Sequence, residues 1–78
     1  MIQNKTQSPY DTRENLTSRE AEVLILICKQ FTTIEIANEL HISEKTVEVH
    51  RDHIMAKTQS KNVVGLVLYA IERQYLFV

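Results

Sequence analysis

At 78 residues the chain has room for one small domain and no separate sensor, and its core must pack efficiently or be shared with a second copy. A single cysteine excludes an internal disulfide and fits a reducing cytoplasm; no secretory leader opens the chain, and no apolar run approaches the roughly 18 residues of a membrane span. One glycine and one proline leave little material for hairpins, so an all-α fold is expected, and a net charge of −1 makes the distribution of charge more informative than its total.

Residues 1–15 are polar, contain Pro9 and show no helical period, which predicts a flexible N-terminal arm or linker remnant, with the domain proper over 16–78. Lys5 and Arg13 in that arm are too scattered to form an electrostatic track. A first helix starts at Leu16-Thr17-Ser18-Arg19-Glu20. Thr17 is the cap, Glu20 closes a capping box, and Leu16 is placed to staple onto Ala21. Val23, Leu24, Ile27 and Cys28, with Leu26, form its buried stripe as far as Lys29 or Gln30. Cys28 has no cation-rich surroundings in sequence, so it is expected as a small core side chain and not as a reactive thiol.

The stretch 33–52 then has the pattern of a helix-turn-helix. Thr32 and Glu35 form a second capping box, and Ile36, Ala37 and Leu40 share one face of a short helix. A small residue at Ala37 lets a following helix cross closely. His41 suits a left-handed turn position, Ile42 plugs the corner, and Ser43 caps a second helix through about Thr58. At about 100° per residue, Val47, Ile54 and Thr58 share its inner face with His50 at the edge. Lys45, Val49, Asp52 and Ala56 lie opposite, flanked by Glu48 and His53; by periodicity alone this is a solvated face.

A fourth helix opens at Ser60 or Asn62. Val63, Val64, Leu66, Val67, Leu68, Tyr69, Ala70 and Ile71 leave it almost no polar side, so more than one surface must cover it. Either residues 75–78 fold back over it or a second copy of the chain does. Leu66, Leu68 and Ala70 are expected inward, and Val63, Val64, Val67 and Ile71 are expected to be left over.

Charge divides the chain. Residues 11–39 carry six acids against three cations, whereas Ser43 to Lys61 carries Lys45, Arg51, Lys57 and Lys61 against Glu44, Glu48 and Asp52. That half is weakly basic, which suits modest affinity for a polyanion. His50 and His53 stand at i, i+3, where a metal site wants i, i+4 and further ligands, so neither metal nor cofactor is expected. No nucleophile–base pair, glycine-rich phosphate loop or carboxylate dyad supports catalysis.

LTSREAEVL at Leu16–Leu24, the IAxxLxISxxTVxxH pattern at Ile36–His50, the IxxK of Ile54–Lys57 and the apolar C-terminal helix together resemble the LuxR/NarL type of bacterial DNA-binding domain, from about Leu16 to Leu76. The resemblance implies a four-helix fold whose third helix enters the major groove of duplex DNA, and it points to the effector domain of a response regulator. It implies base-facing roles for Glu48, Val49 and Asp52, and backbone contacts from Thr33, Ser43, Lys45, Thr46, Arg51 and Lys57. It further implies a homodimer through the fourth helix at Val63, Val64, Val67 and Ile71, with RNA polymerase as a further partner.

This sequence departs from the family pattern at four positions. Gln30 and Gln74 stand where glycine usually ends a helix, so the first turn loses its usual left-handed residue and the fourth helix is expected to continue through Tyr75. Glu48 and Asp52 stand where relatives carry lysine. Two carboxylates one turn apart repel phosphates, yet each can accept from the N4 amino group of cytosine. They leave open an alternative of another class, a helix-turn-helix that dimerises with a DNA-binding partner as its antagonist or adaptor.

Overall fold

The computed structural model describes residues 15–76, which form four helices and no strand: α1 (Ser18–Cys28), α2 (Thr33–Leu40), α3 (Glu44–Thr58) and α4 (Val63–Glu72). The arm expected at the N-terminus lies outside the described residues, apart from Asn15, as do Phe77 and Val78.

Each helix begins on a side-chain cap. Thr17 and Thr32 head complete capping boxes with Glu20 and Glu35, Ser43 accepts from the Thr46 amide, and Asn62, not Ser60, opens α4. These caps satisfy amides that have no partner inside the helix.

All four helices close in the same way and none of them uses glycine. Gln30, His41, Gln59 and Gln74 take the left-handed conformation, with φ of 71°, 59°, 56° and 65°. The next amide in each case reaches back five residues: Phe31 to Leu26, Ile42 to Ala37, Ser60 to Met55 and Tyr75 to Ala70. This is the Schellman closure, and holding a side chain in that conformation costs about 1–2 kcal/mol. Two expectations are therefore corrected. Gln30 itself supplies the left-handed residue at the first turn, and α4 stops at Glu72 without running on through Tyr75. In both places the backbone bonds and the docking of the following aromatic outweigh the cost of the missing glycine: Phe31 and Tyr75 are partly buried against the core.

The core consists of Val23, Leu24, Ile27, Ile36, Ala37, Val47, Ile54, Leu66, Tyr69 and Ala70. α1 lies against all three other helices, α3 touches α2 and α4 as well, and α2 and α4 do not meet. Leu26, Cys28 and Leu40 are partly buried at the margin of this core. Burial raises the pKa of the Cys28 thiol, which keeps it protonated and inert. Ala37 is buried where α2 meets α3, so its small side chain leaves room for the crossing.

Leu68 needs a correction. It was expected inward with Leu66 and Ala70, but it is 63% exposed, and Tyr69 takes the inward place. Tyr75 stacks on Tyr69 with ring centroids 6.2 Å apart, and Arg73 covers the same ring at 5.0 Å. Arg73 and Tyr75 thus cover the Tyr69 side, while Val63, Val64 and Leu68 are exposed.

Candidate nucleic-acid interface

The N-terminus of α3 carries two hydroxyls beside the acidic Glu44. The Ser43 hydroxyl accepts from the Thr46 amide at 3.0 Å and lies 2.9 Å from the Thr46 hydroxyl. Two hydroxyl protons serve one mutual bond, which leaves the other proton to donate outward beside free first-turn amides. Lys45 is exposed on this turn, Arg51 is half-buried two turns on, and Thr33 is half-buried at the start of α2. Next to Thr33, Ile34 is 56% exposed, an apolar side chain on the same helix start that sequence reasoning did not single out.

Further along α3, Glu48, Val49 and Asp52 are all exposed, Val49 by 40%. Val47, Ile54 and Thr58 are buried on the other side, and the Thr58 hydroxyl is tied to the Ile54 carbonyl at 2.8 Å. The helix is therefore divided as its periodicity predicts, with a packed rear face and an outward face on which Glu48, Val49 and Asp52 are exposed. Glu44, Glu48 and Asp52 recur every four residues as an exposed acidic row along that outward face.

Lys57 is placed differently from the other cations. Its ammonium donates to Glu20 Oε1 at 2.8 Å, and only 20% of its side chain is exposed. Glu20 is 4% exposed and also accepts from the Thr17 amide at 2.9 Å; His53 Nδ1 lies 3.8 Å from its other oxygen. Burial raises the pKa of the Glu20 carboxyl, but the hydrogen bonds from Lys57 and Thr17, with the charge of Lys57, outweigh this and hold it below the ordinary carboxylate value. In the sequence Glu20 shows only as a capping-box residue, and its 37-residue link to Lys57 leaves no local trace. The nearest signal is the pattern itself, an acid in the first turn of α1 and a lysine in the last turn of α3.

His50 sits at the edge of the packed face, half-buried as its register predicts, with Nδ1 buried and without a hydrogen-bond partner.

This arrangement, a short α2, a tight left-handed turn and an α3 with a packed rear and an open front, matches known proteins over most of the chain. The family of bacterial regulatory proteins described as luxR, or GerE, matches residues 14–70. The chain belongs to the luxR family of bacterial regulatory proteins. It is a helix-turn-helix DNA-binding domain of the kind that regulates transcription. Among relatives, it is 42% identical over 73 residues to the oxygen regulatory protein NreC of Staphylococcus carnosus strain TM300, covering 94% of this chain and 32% of that protein. NreC of Staphylococcus aureus strain JH9 is 40% identical over 78 residues, with 96% of this chain and 36% of the relative covered. A solved structure, the response regulator ChrA of a heme-sensing two-component system, superposes with a TM-score of 0.74 at 30% identity, over 82% of this chain and 32% of that one. The chain thus spans about a third of the length of these relatives.

Proposed function

We propose that the chain is the effector domain of a response regulator and that it reads duplex DNA with the outward face of α3. The observation that carries this is the exposure of Glu48, Val49 and Asp52 on a helix whose opposite face is fully packed. Val49 offers an apolar contact to a thymine methyl, and the two carboxylates accept from cytosine N4. Thr33, Ser43, Lys45, Thr46 and Arg51 hold the phosphates on either side; Lys57, implied by the resemblance for the same role, already has Glu20 as a partner. Such contacts set register and orientation, while the base-facing trio sets preference.

A homodimer through α4 completes the reading. Val63 and Val64 are 45% and 66% exposed, Val67 and Ile71 are half-buried beside them, and Leu68 adds to the patch. An open groove of about 690 Å³ runs alongside, between the α3–α4 turn and α4. A second copy related by a two-fold axis presents two recognition helices to half-sites about one helical turn apart. RNA polymerase is the further partner that transcription regulation requires, and the cytoplasm is the compartment where both are met. Among the described residues no helix is long and apolar enough to cross a membrane.

Binding of a labelled mixed-sequence duplex, followed across rising salt, tests the reading. Each lost phosphate contact lowers the slope of log K against log salt by about 0.9, so Lys45→Ala with Arg51→Ala lowers it by nearly two units. A flat response, or full binding by that double variant, removes α3 from the groove. The acidic row of Glu44, Glu48 and Asp52 favours a second reading, in which the domain dimerises with a DNA-binding partner as its antagonist or adaptor. Absence of duplex binding at low salt favours the second reading; where the duplex is bound, Glu48→Lys shows what the acids do, since altered preference at one base pair supports base reading and uniformly tighter binding makes them a brake.

A further inference from the structure

We infer that Glu20 is a positioning residue for DNA binding, acting through Lys57 to set the pose in which α3 meets the duplex. The inference rests on the duplex reading above and assigns a role to the one acidic side chain sealed inside the described fold.

Apolar packing through Val47 and Ile54 holds α3 against its neighbours, but such packing is non-directional and tolerates small rotations and slides. The bond from Lys57 Nζ to Glu20 Oε1 is directional, and Glu20 is itself buried and bonded within α1. Its backbone lies in the first turn of α1, its Oε1 also takes the Thr17 amide, and its side chain is 5% exposed. A carboxylate fixed in this way makes Lys57 an anchor for the last turn of α3. Asp52 and Glu48 lie five and nine residues back from it, about 7–14 Å along the helix. A shift at the anchor therefore moves the groove-facing side chains, although neither Glu20 nor Lys57 need touch DNA.

The competing account makes Lys57 a phosphate ligand, and the two differ in sign. If Lys57 binds phosphate, removing the Glu20 charge takes away a carboxylate that competes for its ammonium and lightens the anionic burden of the domain, so binding tightens. If Lys57 anchors the helix, the same change weakens binding.

Glu20→Gln is the decisive substitution, because glutamine keeps the capping-box bond to the Thr17 amide and loses the charge. The full chain, Glu20→Gln, Lys57→Met and the double variant are compared by fluorescence anisotropy. The probes are a mixed-sequence duplex and a duplex enriched from a random library, at several salt concentrations, with helicity checked by circular dichroism. The expected result is a loss of about tenfold on the enriched duplex for each single variant, with the double variant no worse than either, as directly contacting partners behave. The loss is smaller on mixed sequence, so the preference between the two duplexes narrows, and the salt slope stays that of wild type. A purely structural role moves the melting temperature and leaves slope and preference unchanged in the folded fraction. Equal or tighter binding by Glu20→Gln overturns the inference while leaving duplex binding intact. A slope lowered by about 0.9 in Lys57→Met overturns it as well, and decides the matter if Glu20→Gln is unfolded at the assay temperature. Wild type without salt-dependent binding overturns the duplex reading, and this inference with it.

Discussion

α3 and α4 each bury three side chains, Val47, Ile54 and Thr58 in one and Leu66, Tyr69 and Ala70 in the other, and they differ in what is left outside. α3 shows water an acidic row, Lys45 and a lone valine; α4 shows it Val63, Val64 and Leu68. A helix on a small core can bury only one stripe, so the composition of the opposite face is free to serve a partner. The charged face suits a polar, hydrated partner and the apolar face suits another apolar face. The anchors differ as well, a fixed ion pair at the end of α3 and a tyrosine stack at the end of α4.

The largest effect tests the similarity of the two helices. Ile54→Ala and Leu66→Ala remove fully buried side chains, one from each helix, and each is expected to cost about 2–5 kcal/mol in urea unfolding. In a domain of this size that approaches the whole stability, so a cost below about 1 kcal/mol at either site would show that the core tolerates collapse there.

Acid separates the two anchors. The pKa of Glu20 is lowered in the folded state, so its contribution is fully present above the unfolded carboxylate value, near 4.3, and is lost as pH falls through the lower folded value. Glu20→Gln is expected to cost about 1–2 kcal/mol at neutral pH, below the range for a fully buried pair because Lys57 keeps some solvent contact. The variant should then lose less stability than wild type between neutral pH and pH 3. Parallel pH curves for the two proteins would remove the ion pair from the anchor of α3.

Gln74→Gly at the end of α4 relieves a left-handed side chain and is expected to stabilise by about 0.5–1 kcal/mol, after the greater unfolded-state freedom of glycine is set against it. A loss of stability in thermal unfolding would mean that the Gln74 side chain contributes more than its backbone strain costs. The smallest expected change in monomer stability is at Leu68→Glu, within about 0.5 kcal/mol, because the side chain is already in water. Its effect on association should be the reverse, since two carboxylates meeting across an apolar seam are costly. Analytical ultracentrifugation should show the wild type self-associating and the variant monomeric; a monomeric wild type at high concentration would make the open face of α4 idle. Val67, on the sequence pattern the natural probe of the seam, is half-buried, and a charge there would disturb core and seam together.

How much of the fold is legible in the sequence depends on how local the cause is. Three of the four helix starts could be read from it, because a cap and its partner lie within four residues: Thr17 with Glu20, Thr32 with Glu35, Ser43 with Thr46; at α4 the sequence left Ser60 and Asn62 open, and Asn62 is the cap. The rear and front faces of α3 followed from its period, since an unpaired charge facing a core is costly. The left-handed turn at His41 was legible for the same local reason, but the helix ends at Gln30 and Gln74 were not. Glutamine carries no sign of a turn, and its conformation there is imposed by backbone bonds and by the docking of Phe31 and Tyr75. Tertiary structure alone decided the inward face of α4, where nearly every residue is apolar and hydrophobicity cannot rank Leu68 against Tyr69. It alone also joined Glu20 to Lys57, because an ion pair across 37 residues exists only once α1 and α3 have packed and water has left the space between them.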